Sequence, residues 1–313
     1  MNTADLTAPH FTDADKAREA LEAVRWPNGP VCPHCGSVDE NVYKLGGKST
    51  RPGLYACKGC KGNFSVTVGT VFERSHIPLN KWLLASHLMA SSKKGISAHQ
   101  LHRMLGITYK SAWFMAHRIR EAMKDDGSEP MGGEGKHVEA DETYQGTRDR
   151  HAKKRSPSHK RVVFTLVERK GRARSFHIDR ATVSNIMPII DANMDKASTL
   201  NTDQAAHFKA IGREFDAHQT VDHGVGEYVR GTAYTNTIEG YFSIFKRGMK
   251  GVYQHCSERH LQRYLTEFDF RYSNRAALGT TDKERTKKAL KGIEGKRLTY
   301  RRTNGRPEAA SLG

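Results

Sequence analysis

The sequence predicts an α/β fold, in which a mixed sheet flanked by helices follows a small zinc ribbon and a helical, helix-turn-helix-like region. Three observations predict it. Two CxxC pairs lie near the start of the chain, a helical hydrophobic period runs from 79 to 123, and strand patterns then alternate with helix patterns. Such alternation is typical of a central sheet covered by helices.

Length and charge limit the class of protein. The chain has 313 residues and a formal net charge of +17, from 51 Lys and Arg against 34 Asp and Glu. This length corresponds to about two domains at roughly 150 residues each. The positive excess is unusual for a metabolic enzyme and predicts a polyanionic partner. Because 37% of the residues are hydrophobic, wholesale disorder is excluded.

Neither a membrane span nor a secretory signal is expected. The longest apolar stretch, Trp82–Ala90, contains Ser86 and His87 and is too short to cross a bilayer. The first residues have neither the basic segment nor the apolar segment of a signal peptide. We therefore expect a cytoplasmic protein that makes no membrane contact.

The first predicted element is an amphipathic helix in which Ala17, Leu21 and Val24 share one face. Four cysteines follow it, at the spacing C-x2-C-x21-C-x2-C: Cys32, Cys35, Cys57 and Cys60. Four thiolates satisfy tetrahedral Zn²⁺ and leave no position open for water, so the pattern predicts a structural zinc ribbon. Buried or redox-active thiols are the alternative interpretation.

Turns and a strand are expected within this ribbon. Gly36 and Gly59 should permit the backbone turns that aim N–H groups at sulfur. After the second cysteine pair, the segment 64–68 alternates with period two and predicts a strand. Cys256 stands alone and is expected to be a partly buried thiol.

Three helices are predicted between Leu79 and Met123, and the short turn at Gly106 separates the second from the third. Helix, Gly-containing turn and helix form the helix-turn-helix pattern. On the third helix, Lys110, Arg118 and Arg120 are expected to face a DNA groove. An ordinary helical bundle with solvated charges fits the same pattern. A linker follows at 125–135.

The second half predicts a sheet with helices on both sides. The predicted strands are His137–Tyr144, Val162–Arg169, Ala173–Ile178, Thr199–Thr202 and His218–Val221. The predicted helices are Val183–Met194, Phe208–Phe215, Asn236–Met249 and Glu258–Tyr272. A basic loop with Lys153, Lys154 and Arg155 and a basic tail with ten Lys or Arg between 283 and 306 are expected to hold DNA phosphates.

Three acidic residues are the candidate catalytic set. Asp141 lies within a predicted strand, Asp203 ends another, and Glu239 lies on the polar face of a predicted helix together with Asn236 and Lys246. Two strand carboxylates and one helix carboxylate could hold Mg²⁺ or Mn²⁺ for phosphoryl transfer, with the lysine near the DNA.

Each of these residues also has an ordinary explanation. Asn236 and Glu239 have the spacing of a helix cap and its capping-box partner, which needs no metal. Asp203 could cap the helix that follows it, and Asp141 could be a solvated strand residue. Glu139 and Glu142 flank Asp141 and could share or disturb a metal site.

Several motifs together resemble a known family. The chain resembles the bacterial insertion-sequence transposases that join an N-terminal zinc ribbon to an RNase-H-like DDE domain, of the ISXO2-like type. The motifs that carry the resemblance are Trp26-Pro27-Asn28-Gly29, the cysteine quartet, the segment from Val138 to Tyr144, Asn201-Thr202-Asp203, the segment from Thr235 to Ser243, and Lys246-Arg247-Gly248.

The resemblance implies a DNA transposase that cleaves and transfers strands at the inverted repeats of its own element. It assigns Asp141 and Asp203 as the first two catalytic carboxylates. The family is described with either Asn or Glu at the third position, followed by Lys, so it implies Glu239 as third ligand with Asn236 as accessory, or the reverse. Lys246 matches the basic residue, and Arg247 beside it is expected to bind DNA. His223 matches a family residue without an assigned role.

The expected organisation follows. Residues 1–75 should form the first helix and ribbon, 76–127 the helical DNA-binding region, 136–280 the RNase-H-like domain and 281–313 a basic tail. Structural Zn²⁺ and catalytic Mg²⁺ or Mn²⁺ are the expected cofactors. Double-stranded DNA, in the bacterial nucleoid, is the expected partner, with a homo-oligomer forming on it. A catalytically silent regulator derived from a transposase, and an RNase-H-like nuclease, are the alternatives.

Overall fold

The chain begins with two helices and a small three-stranded sheet. The computed structural model describes residues 5–146, 160–222 and 229–299. Helix α1 (Pro9–Thr12) leads into α2 (Ala14–Arg25), which begins where the Asp13 side chain accepts a hydrogen bond from the N–H of Lys16. Strands β1 (Val42–Lys44), β2 (Tyr55–Cys57) and β3 (Asn63–Phe64) pair antiparallel in that order.

The predicted strand over 64–68 is wrong beyond its first residue. Phe64 and Val66 are buried, as the alternating pattern requires. The backbone after Phe64 nevertheless closes into turns, in which the N–H of Val68 donates to Ser65 O and that of Thr70 donates to Thr67 O. The period of two therefore reflects alternating burial, and the described residues 65–69 form turns and not a paired strand.

The three predicted helices of the next region are confirmed. They are α3 (Leu79–Ser91), α4 (Ala98–Leu105) and α5 (Tyr109–Ala122). The side chains of Ser97 and Thr108 cap the N-termini of α4 and α5. Gly106 lies between these helices at φ 59°, a left-handed conformation that lets the chain reverse within a short turn.

The second half contains a mixed five-stranded sheet. Its strands are β4 (His137–Gln145), β5 (Arg161–Glu168), β6 (Ala173–Ile178), β7 (Thr199–Asp203) and β8 (Ala217–Val221). They lie in the order β6-β5-β4-β7-β8, where β4 pairs antiparallel with β5 and parallel with β7. All five predicted strands are present, and the sheet is consistent with an RNase-H-like domain.

Helices cover both faces of this sheet. Helices α6 (Val183–Asn193) and α7 (Ala206–Ile211) pack on one face, whereas α8 (Asn236–Gly248) and α9 (Glu258–Ser273) pack on the other. The short hairpin of β9 (Val229–Arg230) and β10 (Ala233–Tyr234) leads into α8. The predicted helix Phe208–Phe215 is displaced, because α7 ends before Gly212 and a 3-10 turn follows. A Cβ at Gly212 would overlap the ring of His218.

A buried charged cluster joins the two halves. The carboxylate of Glu267 on α9 accepts hydrogen bonds from Arg120 on α5 (2.7 Å), from Arg271, and from the hydroxyl of Tyr253 (2.6 Å). Tyr253 ends the π-helical turn that extends α8, and Arg120 also lies over the ring of Tyr264. A buried carboxylate with two arginines and a hydroxyl around it fixes α5 against α9.

The end of the described chain completes the core of its beginning. Helix α10 (Asp282–Lys291) packs against α3, and Leu290 and Ile293 lie in the same apolar cluster as α2, α3 and α5. The N–H of Val71 donates to Ile293 O, and Arg25 on α2 pairs with Glu294 at 2.9 Å. The first part of the expected basic tail is therefore a packed helix with exposed lysines on its outer face, while 300–313 lie outside the described residues.

Within the described part of the chain, no helix is both long and apolar enough to span a bilayer.

We predict that Ile293→Ala destabilises the N-terminal core by about 2–5 kcal/mol, because the side chain is 1% exposed and its removal leaves a cavity. Thermal denaturation followed by circular dichroism checks this, with Lys287→Ala on the exposed face of α10 as the control. Equal melting temperatures for the two variants would show that this segment does not stabilise the core.

Candidate functional site

The four predicted zinc ligands lie together. Among the residues that the structure describes, the cysteines form the only group of three or more potential ligands close enough to share an ion, with all four sulfurs within 4.8 Å of one another. Cys32 and Cys57 are buried, whereas Cys35 and Cys60 are exposed. Thiolates gathered in this way are positioned to bind a zinc ion.

The backbone around the cysteines explains how the sulfurs converge. Gly36 has φ 76° and donates its N–H to Cys32 O, which closes the first turn as predicted. In the second turn the left-handed residue is Lys61 (φ 60°) and not Gly59. Gly59 is instead required by close packing, since a Cβ at this position would lie only 2.9 Å from Ser37 Oγ. The backbone N–H of Cys60 lowers the pKa of the Cys57 thiol to about 6.

Asp141 and Asp203 lie on neighbouring strands of the large sheet. The pairing of β4 with β7 is parallel, and Glu139 on β4 lies opposite Asn201 on β7. Asp141, in the middle of β4, and Asp203, at the end of β7, each follow two residues later on their own strands, so they lie at the same level of the sheet. Asp141 Oδ1 accepts a hydrogen bond from the N–H of Glu142 (2.7 Å).

Helix α8 contributes the third carboxylate. Its predicted apolar stripe is buried against the sheet: Ile238, Tyr241, Phe242, Phe245 and Met249. Its predicted polar face is exposed and carries Asn236, Glu239 and Lys246. The hydroxyl of Thr235, the residue that precedes the helix, donates to Glu239 Oε1 at 3.4 Å.

The three carboxylates interact electrostatically. The pKa of Asp141 is raised to about 8, first by burial and then by the negative charges of Glu142, Asp203 and Glu239. Their oxygens do not form a group as tight as the cysteines. The arrangement is a set of acidic groups whose mutual repulsion a cation would relieve.

The two glutamates that flank Asp141 have separate roles. Glu139 is fully buried and accepts hydrogen bonds from Arg169 (2.7 Å) and from the N–H of Ile238 (2.9 Å), so both of its oxygens are engaged. Glu142 lies 3.3 Å from Nε2 of His207, and this hydrogen bond raises the pKa of the imidazole. Glu139 therefore belongs to the framework of the site.

Sequence reasoning missed Arg169 and His207. Arg169 contacts residues between 30 and 65 positions away, which no local pattern reveals. His207 lies four positions after Asp203, at the start of α7. This short spacing from a predicted catalytic residue could have indicated that His207 lies near the site.

Two of the predicted DNA-facing arginines are buried. Arg120 takes part in the Glu267 cluster, and Arg118 donates to Glu73 O (2.6 Å) and lies over the ring of Trp82. Their predicted position in a DNA groove is therefore wrong. They lie on different sides of α5, Arg118 toward Trp82 and Arg120 toward α9, and both sides pack against the protein. There the long aliphatic stems fill space and the charged heads find acceptors.

The exposed surface of the helical region lies at the other end of α5. Lys110 is exposed there, beside Tyr109, whose ring stacks on His99 at 4.2 Å. The 47 residues from Arg74 to Arg120 contain no Asp or Glu. Arg247 on α8 is exposed and donates to Ser243 O. Lys153, Lys154, Arg155 and His223 lie outside the described residues.

Comparisons with known proteins agree with the resemblance found from the motifs. Residues 12–63 match the family described as "Transposase zinc-ribbon domain", and residues 132–273 match the "ISXO2-like transposase domain". The chain is also 29% identical over 279 residues to an "Uncharacterized protein in transposable element ISH50" from Halobacterium salinarum, and the match covers 83% of this chain and 91% of that protein.

We predict that the purified chain binds a single zinc ion and that Cys32→Ser abolishes this binding, because serine is a poor zinc ligand and three thiolates leave the site open. Native mass spectrometry of the intact protein measures it. Cys256→Ser is the matched control, since burial raises the pKa of that thiol to about 11. A similar loss of zinc in both variants would contradict the assignment.

Proposed function

The chain belongs to the ISXO2-like transposases, and from that premise we propose that it catalyses metal-dependent strand cleavage and strand transfer at the inverted-repeat ends of an insertion sequence. The observation that carries the proposal is the acidic site. Asp141 and Asp203 lie on neighbouring parallel strands, with Glu239 of α8 close enough to raise the pKa of Asp141.

The proposed roles follow from the position of each group. Asp141, Asp203 and Glu239 would hold Mg²⁺ or Mn²⁺, which prefer carboxylate oxygens. When bound, such ions neutralise the charge that develops during displacement at phosphorus and lower the pKa of the attacking water or hydroxyl. The exposed Lys246, two turns along α8, would contact the DNA strand beside the cleaved phosphate.

Glu239 is proposed as the third ligand, with Asn236 as an accessory. The two residues are separated by three positions on one exposed helix face, so they lie side by side. The carboxylate adds the negative charge that a divalent cation needs, whereas the amide offers only a neutral oxygen.

Binding of the transposon end is assigned to the N-terminal half. The exposed N-terminal turn of α5, with Lys110, has the position of the recognition helix in a helix-turn-helix protein. The absence of acidic residues from Arg74 to Arg120 favours a polyanionic partner for this surface. Arg247 and the basic residues 153–155 would hold phosphates nearer the acidic site. Since transposition joins two ends, we propose that at least a dimer assembles on DNA.

We predict that Asp203→Asn and Glu239→Gln each abolish nicking of a duplex that carries the element's own terminal repeat, because each removes a ligand charge but keeps the shape. Gel analysis of nicked products with Mg²⁺ or Mn²⁺ measures it, with Ser243→Ala on the same helix as control. Activity that survives Glu239→Gln but is lost in Asn236→Ala would assign the third ligand position to the asparagine.

The same assay separates the alternative functions. Specific binding by the wild type without nicking would favour the silent regulator, and preferential cutting of junctions or hybrids would favour the nuclease.

We predict that Lys110→Ala weakens binding of that duplex and reduces the slope of log affinity against log salt by about 1, as loss of one phosphate contact should. Fluorescence anisotropy over a range of salt concentrations measures both quantities. Lys16→Ala is the control, because Lys16 is exposed and pairs with Glu19 on α2. An unchanged slope for Lys110→Ala would remove this residue from the DNA interface.

A further inference from the structure

One arginine connects the elements that carry the acidic site. Arg169 follows directly after β5, and its guanidinium donates four hydrogen bonds to three separate segments. It also lies over the ring of Tyr234, with its central carbon 3.4 Å from the ring centroid. A guanidinium carries five N–H donors on three nitrogens in a planar fork, whereas an ammonium group carries three on a single nitrogen.

The first two contacts lie beside the strand carboxylates. Arg169 Nε donates to Glu139 Oε1 (2.7 Å), and one terminal nitrogen donates to Asn201 Oδ1 (3.2 Å). Glu139 and Asn201 are cross-strand partners, and each precedes a site carboxylate, Asp141 or Asp203, by two residues. Residues two apart on a strand share a face. The guanidinium therefore fixes the relative position of β4 and β7 at the residue pair that precedes Asp141 and Asp203 by two positions.

Glu139 in turn makes a contact beside the helix carboxylate Glu239. The second oxygen of Glu139 accepts a hydrogen bond from the backbone N–H of Ile238 (2.9 Å), and Ile238 directly precedes Glu239. The N–H groups of the first helical turn have no acceptor within the helix, so the fully buried Glu139 supplies one. In this way the carboxylate ties the first turn of α8 to β4.

The remaining contacts hold the entry to that helix. Arg169 donates to the carbonyl oxygens of Thr232 (2.8 Å) and Tyr234 (2.7 Å) in the hairpin that leads into α8. Tyr234 lies two residues before Asn236. Each predicted metal-site residue is thus one or two positions from a group that Arg169 or Glu139 holds.

We propose that Arg169 and Glu139 are the positioning residues of the acidic site, which set the distance between the first turn of α8 and the segments of β4 and β7 that carry Asp141 and Asp203. The inference rests on the proposed function for its catalytic consequence. In this proposal Glu139 orients the metal-binding carboxylates through its hydrogen bonds to Arg169 and Ile238. It does not bind the cation itself, although it shares a strand face with Asp141.

A buried arginine elsewhere in the same sheet provides a matched control. Arg174 on β6 donates to Asp125 Oδ2 (3.0 Å), to Asn193 Oδ1 (3.1 Å) and to Glu129 O (2.8 Å). Its side chain is 6% exposed, against 11% for Arg169. None of these contacts reaches β4, β7 or α8, so loss of Arg174 removes buried hydrogen bonds without touching the acidic site.

The experiment compares the full-length zinc-loaded chain with Arg169→Met, Arg169→Lys, Glu139→Gln and Arg174→Met. Hydrogen exchange followed by mass spectrometry reports the opening of the first turn of α8 in the absence of metal and DNA. We expect faster exchange in peptides that cover 234–242 for Arg169→Met and Glu139→Gln, and wild-type exchange in this segment for Arg174→Met. Arg169→Lys should behave like Arg169→Met, because a single nitrogen cannot reach acceptors that are now spread over Nε and both terminal nitrogens.

Nicking kinetics at saturating DNA, titrated with Mn²⁺, supply the second measurement. Arg169→Met should lower the rate by about 100-fold, the effect of misplacing catalytic groups by about 1 Å, and should raise the Mn²⁺ concentration for half-maximal rate, while affinity for the transposon end stays unchanged. Equal effects of Arg169→Met and Arg174→Met on exchange and Mn²⁺ dependence, or full rescue by Arg169→Lys, would overturn the proposal.

Failure of the proposed function and failure of the positioning proposal give different results. A wild type that binds Mn²⁺ but cuts no DNA contradicts the proposed function, and the exchange comparison then still decides whether Arg169 and Glu139 hold α8. If Arg169→Met does not fold, as judged by its thermal transition, the proposal is tested with Glu139→Gln. The amide keeps an oxygen that can accept from Ile238 but loses the negative charge that holds the guanidinium.

Discussion

The structure depends on how a single buried carboxylate is satisfied. Burial acts to raise the pKa of Glu267, but Arg271 and Arg120 outweigh it and the pKa is lowered, so the group is held ionised. Because Arg120 comes from α5 and Tyr253 from the end of α8, the same anion joins the helical region to the sheet domain. Removal of Glu267 would leave Arg120 and Arg271 buried without a counter-charge, and that cost favours the joined arrangement. The surface that is proposed to bind DNA and the acidic site are thereby connected through one buried cluster.

Local patterns in the sequence were sufficient for features that depend on neighbours along the chain. The spacing of the cysteine pairs predicted the ribbon, because each knuckle is built by a few consecutive residues. The stripe that contains Ile238 and Phe245 predicted which face of α8 is buried, and therefore which face carries Glu239. The five strands were recognisable because both alternation and apolar runs are local signals.

Features that depend on distant partners were not predictable in the same way. Arg118 and Arg120 lie in a basic helix, and nothing near them in the sequence shows that Glu73 O and Glu267 would accept their hydrogen bonds. Arg169 ended a predicted strand, and nothing near it in the sequence shows that the hairpin before α8 would supply its acceptors. Charge indicates the sign of the partner, whereas only the fold decides which charges remain at the surface.

The packing of α10 has a consequence for how the protein is made. The apolar cluster built by α2, α3 and α5 lacks Leu290 and Ile293 until these residues have left the ribosome, long after the helices that they cover. Contacts that span more than 200 residues form late, because loop closure must come first. A prematurely terminated product that ends after the linker would carry the ribbon and helices α3 to α5 without this final layer. Such fragments should unfold more readily than the complete fold and be cleared by proteolysis.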